Sequence, residues 1–72
     1  MLSMEEKLID SREAEGIKVE LYHKYSGNKG GYEVLVHITS QPTRFWYGYR
    51  GKEERIRSEA LAREDFKNFS KP

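Results

Sequence analysis

Two runs of strict alternation, Ile17 to Tyr25 and Tyr32 to Thr39, constrain this chain more than any other feature. In the first, Ile17, Val19, Leu21, His23 and Tyr25 alternate with Lys18, Glu20, Tyr22 and Lys24. In the second, Tyr32, Val34, Val36 and Ile38 alternate with Glu33, Leu35, His37 and Thr39. Successive side chains of a strand point to opposite faces, so a period of two marks a strand with one buried face. The second run is rich in β-branched residues and has no internal Gly or Pro, which suits a central strand. Between the runs, Ser26-Gly27-Asn28-Lys29-Gly30-Gly31 collects residues that tolerate positive φ and predicts a flexible hairpin loop. These glycines could expose N–H groups to a phosphate. The run lacks the Gly-Lys-Ser/Thr ending of a P-loop, however, and leads into a strand instead of a helix.

After a short turn at Ser40-Gln41-Pro42, Thr43 to Arg50 returns as another strand and holds the only Trp of the chain. Phe45, Tyr47 and Tyr49 share one side, and Arg44, Trp46, Gly48 and Arg50 share the other. The first side reads as core and the second mixes cation with aromatic.

The two ends are less regular. Ser3 with Glu6 is a capping-box pattern and Gly16 suits a helix C′ position, which allows a helix from Met4 to Glu15. Its apolar face is poor, and the preferred reading is a strand around Leu8 to Glu13 turning at Glu15-Gly16 into the next strand. At the other end, Ser58 as N-cap with Glu59 behind it predicts a helix from Glu59 to about Ser70. Its stripe would be Leu61, Ala62, Phe66 and Phe69, with Lys52 to Arg57 as a charged lead-in whose Ile56 packs separately. The expected fold is therefore α+β: a three- or four-stranded antiparallel meander with one C-terminal helix on one face. Val34 and Val36 should lie beneath Phe66 and Leu61, with Phe45 and Tyr47 on one side and Leu21 and Val19 on the other.

At 72 residues the chain has room for a single small domain, residues 1–72, whose one core gives a few kcal/mol of net stability. It has no cysteine, so neither a disulfide framework nor a thiolate metal site is available. No stretch approaches the ~20 apolar residues of a membrane span, and Met1 to Met4 leads into Glu5 and Glu6 instead of a basic, then apolar signal. The expectation is a soluble, cytoplasmic protein without membrane contact. Net charge is only +1, but its distribution is uneven. Residues 1–16 are acidic, whereas residues 18–52 carry Lys18, Lys24, Lys29, Arg44, Arg50 and Lys52 against Glu20 and Glu33.

Catalytic arrangements fail on geometry. The two histidines, His23 and His37, fall on opposite sides of the sheet by parity, so a shared metal or acid–base site is not expected. Glu53-Glu54 and Glu64-Asp65 are adjacent pairs whose side chains diverge on a helix. No Cys/His or Ser/His/Asp set can be assembled, and the reading is a non-enzymatic protein without cofactor or metal.

Parity does single out one surface. Lys18, Tyr22, Lys24, Leu35, His37, Arg44, Trp46 and Arg50 all fall on the side opposite the helix. Aromatic residues and Arg are the usual anchors of protein interfaces, so this face is expected to bind a protein partner, including a second copy in a homodimer. The alternative is nucleic acid, with Tyr22 and Trp46 stacking on bases and Lys18, Lys24, Arg44 and Arg50 contacting phosphates. The strand order, followed by Ser-Glu-Ala-Leu-Ala-Arg-Glu-Asp-Phe from Ser58 to Phe66, resembles in architecture the small DNA-binding domains of tyrosine-type integrases. That resemblance implies a three-stranded sheet entering the major groove. The balanced charge and acidic first segment depart from such readers.

Overall fold

The computed structural model describes residues 4–38 and 42–69. They form an α+β fold of β1 (Glu5–Ala14), β2 (Ile17–Ser26), β3 (Lys29–Ile38), β4 (Thr43–Arg50) and α1 (Lys52–Phe69). The strands lie in the order β1-β2-β3-β4, each antiparallel to its sequence neighbour, which makes the sheet a meander. The expected turn at Ser40-Gln41-Pro42, like Thr39 and Ser70, falls at least in part outside the described residues.

The first segment is a strand and not the alternative helix. Glu15 and Gly16 have φ of 53° and 81°, the paired positive values that a two-residue type I′ hairpin requires. Pairing with β2 then slips between Leu8, opposite Tyr22, and Asp10, opposite Leu21. Ile9 is the extra residue of a β-bulge and packs against the core. Glu6 and Leu8 before the bulge share a face with Ser11 and Glu13 after it. This change of phase is why the segment shows no steady alternation in sequence.

The glycine-rich run is shorter as a loop than expected. Only Gly27 and Asn28 form the turn, with Gly27 at φ 63°, the position where type II′ hairpins place glycine. Lys29, Gly30 and Gly31 belong to β3, because β2–β3 pairing continues unbroken to Ser26 opposite Lys29. The turn also touches the far end of the sheet, where the Gly51 N–H donates to the Asn28 carbonyl at 3.1 Å.

The helix corrects the sequence reading most. It starts at Lys52, seven residues before the expected Glu59. Gly51, at φ 96°, ends β4, and its carbonyl accepts the first helical bond from the Arg55 N–H. The Glu54 carboxylate then accepts the Arg50 N–H at 2.8 Å, so acidic residues of the first turn satisfy an otherwise unpaired donor. Ser58 is no cap. It lies buried inside the helix, its hydroxyl 2.6 Å from the Glu54 carbonyl oxygen and 3.3 Å from that of Gly48. This longer helix leaves Ile56 exposed instead of packed separately.

The core lies between α1 and the face of β2, β3 and β4. Val19, Leu21, Tyr32, Val34, Val36, Tyr49, Ala62 and Phe66 are buried there, with Ile17, Phe45, Tyr47 and Phe69 packed around them. Leu61 does not belong to it: it is 49% exposed, because Ser58, Ala62 and Phe66 at spacings of four define the buried line and Leu61 lies about 100° off it. Phe45 stacks on Phe69 with centroids 4.9 Å apart, and the Tyr47 hydroxyl donates to Asp65. No helix among the described residues is long and apolar enough to cross a membrane.

Candidate functional site

The strand registers resolve the sheet face opposite α1 into cross-strand rows. From one end they run Glu13–Lys18–His37, then Ser11–Glu20–Leu35–Arg44, then Leu8–Tyr22–Glu33–Trp46, then Glu6–Lys24–Gly31–Gly48, and finally Lys29–Arg50. All eight residues expected on this face are therefore brought together on it. Three others, which sequence reasoning set aside, change its character: Glu20, Glu33 and Leu8.

Glu33 sits at the centre, 8% exposed. Lys24 Nζ lies 3.2 Å from one of its carboxylate oxygens and an Arg44 guanidinium nitrogen 3.9 Å from the other. A buried carboxylate needs such partners, since an unpaired buried charge is costly. Beside it, the Glu20 carboxylate accepts from the Tyr22 hydroxyl at 2.9 Å and lies 2.7 Å from His37 Nε2. Burial pulls the Glu20 carboxyl upward, but the hydrogen bonds from His37 and Tyr22 and the charge of Lys18 outweigh it and hold its pKa below the ordinary value. The same hydrogen bond raises the pKa of Tyr22. The middle of the face is thus a set of paired charges and not a field of free cations.

Leu35 lies on this face as parity placed it but offers little open surface. It is only 8% exposed, within a row that sets it between Glu20 and Arg44. Arg44 and His37, by contrast, remain substantially accessible.

Trp46 is the open aromatic side chain of the face, with 51% of its surface exposed. Its indole lies over Gly31 and Gly48, which pair directly across β3 and β4. A Cβ at Gly31 would fall 2.6 Å from Trp46 Cζ2, and one at Gly48 would fall 3.0 Å from Trp46 Nε1. The two glycines therefore provide a floor on which the ring can lie flat. At the far end of the same row, on β1, Leu8 is 48% exposed.

The histidines are separated as parity required. His37 belongs to the outer face, whereas His23 lies under the helix side, stacked between Tyr25 at 4.5 Å and Tyr32 at 4.4 Å. Its Nε2 lies 2.9 Å from the Tyr49 hydroxyl, and the Tyr32 hydroxyl donates to Glu59 at 2.9 Å. Burial, with Arg55 and Lys7 nearby, lowers the pKa of His23 against an opposing pull from Glu59. Burial and the bond to Glu59 push the Tyr32 phenol up to about 12. These groups are locked to one another and form the support of the sheet.

The chain matches no protein-family model, no curated protein and no solved structure.

Proposed function

We propose that this protein is a small non-enzymatic binding module whose outer sheet face takes a protein partner. The observation that carries this reading is Trp46, half exposed on a glycine floor and bordered by Arg44 and Arg50. Large aromatic side chains held rigidly beside Arg are the usual anchors of protein interfaces, because they bury much area at little entropic cost. The charges at the centre of the face, Lys24, Glu33 and Arg44, are already paired, so a partner meets a middle that need not reorganise.

Nucleic acid is the second reading, favoured by the exposed indole and by Lys18, Lys29 and Arg50 on the same face. Its weakness is electrostatic. Glu33 and Glu20 occupy the middle of the face, and Lys24 and Arg44 are turned to Glu33, where a phosphate would have to displace a carboxylate.

Replacing Trp46 with a photo-cross-linking amino acid, and Leu61 in a control, tests the choice. Irradiation in cell extract should give discrete protein adducts from position 46 that resist nuclease, and none from position 61. Nuclease-sensitive adducts would favour the second reading. Equal labelling from both positions would remove the outer face as the working surface.

A further inference from the structure

The outer face is acidic along one edge and basic along the other. On this face β1 presents Glu6 and Glu13 with Leu8 between them, and β4 presents Arg44 and Arg50 with Trp46 between them. A surface with complementary halves can pair with a copy of itself across a two-fold axis. Two such axes exist for stacked sheets, and charge distinguishes them. An axis running across the strands would lay β1 on β1 and β4 on β4, setting glutamates against glutamates and arginines against arginines. An axis running along the strands lays β1 of each copy over β4 of the other and preserves the rows. Leu8 then meets Trp46 of the second copy, Glu6 lies one row from Arg50, and Glu13 lies one row from Arg44. Long side chains span that offset, and the near-parallel strands match the aligned packing of two sheets.

Resting on the protein-binding reading above, we propose that the partner is a second copy of this chain, docked face to face about a two-fold axis along the strands. Both Leu8–Trp46 contacts form symmetrically, flanked by two Glu6–Arg50 pairings. Edge-to-edge pairing is the poorer route to a dimer: β1 is interrupted by its bulge and carries Glu5, Glu6, Asp10 and Glu13. The size of the face sets the strength. Four strands at ~4.8 Å spacing and about eight residues of length cover roughly 500 Å² per copy, or about 1,000 Å² in total, the lower end for a specific interface. The dimer is therefore a weak one, reversible and sensitive to salt.

Sedimentation velocity of the whole chain and of two charge-reversed variants tests this. E6R and R50E each set like charges against one another where Glu6 of one copy faces Arg50 of the other, so each variant alone should associate at least ten-fold more weakly than the unmodified chain. Mixed together they should recover association, because the E6R substitution of one copy then faces the R50E substitution of the other and the second Glu6–Arg50 pairing is unmodified. Circular dichroism confirms that each variant is folded, and R50K serves as a charge-preserving control that should associate normally. Variants that associate as strongly alone as mixed would overturn the two-fold arrangement. A chain that stays monomeric at several hundred micromolar in low salt would overturn the second copy as partner. In that case discrete adducts to a different protein from position 46 would still uphold the binding face, whereas their absence would remove both.

Discussion

Leu8 and Trp46 stand at opposite edges of a single cross-strand row, and both are about half exposed, at 48% and 51%. Three strand spacings separate them, roughly 14 Å, so they cannot cover one another within one chain. Tyr22 and Glu33 lie between them with their polar groups engaged by Glu20 and Lys24. The bulge at Ile9 creates this arrangement, because it sends Ile9 inward while leaving Leu8 outward.

The helix is held by Phe66, and its loss should be severe. Phe66→Ala in a packed core costs about 3–5 kcal/mol, comparable to the whole net stability expected of so short a chain. Circular dichroism should find that variant largely unfolded at room temperature. Leu61→Ala should shift stability by only about 0.5 kcal/mol, since that side chain is half exposed. Leu35→Ala should fall between them at about 2 kcal/mol, because its burial comes from neighbouring side chains of the sheet face and not from the helix.

The glycine floor gives a second test. Gly48→Ala meets mainly the Trp46 ring, whereas Gly31→Ala also meets the Tyr47 carbonyl oxygen at 2.6 Å and the Gly48 Cα at 2.9 Å. Each alone should destabilise, Gly31→Ala by about 1–3 kcal/mol. In urea denaturation of the double variants, Trp46→Ala should relieve most of the Gly48→Ala penalty and little of the Gly31→Ala penalty. Equal relief at both positions would mean that the indole does not lie as described.

Acid should weaken the fold in two stages. His23 has a lowered pKa in the folded chain, so protonation favours the unfolded state. The stability contributed by its neutral form is complete above the unfolded value of about 6.5 and is lost as pH falls below it. Glu20, also lowered, acts later, below the ordinary carboxyl value of 4.5. Urea melts at pH 7.0 and 5.5 should show a loss for the unmodified chain and a smaller loss for His23→Gln. An NMR titration should place the His23 midpoint below 6.5.

Strand periodicity carried most of the fold, since β2, β3 and β4 keep one phase from end to end and their buried residues follow from parity alone. Where phase was broken, sequence reasoning failed for a physical reason. The bulge at Ile9 reverses the parity of β1, which hides the outward position of Leu8. The helix start was misplaced because Ser58 has the chemistry of a cap, yet Gly51 and Glu54 supply that end and leave the Ser58 hydroxyl to dock against β4. The face of the candidate site was legible from parity, but its electrostatics were not. Glu20 and Glu33 lay on the same parity as the cations, and only the registers of β2, β3 and β4 show that they pair with His37, Lys24 and Arg44.

Trp46 as the anchor of an interface on the outer sheet face is put to the test by an isotope-filtered NMR experiment on a mixture of labelled and unlabelled chain. Nuclear Overhauser contacts between Leu8 methyl groups of one copy and the Trp46 indole of another should appear at high concentration and fade on dilution, because the two side chains are too far apart to give them within one chain. Concentration-dependent contacts from Ile56 or Leu61 of the helix instead, with none at Trp46, would rule out the outer sheet face as the interface.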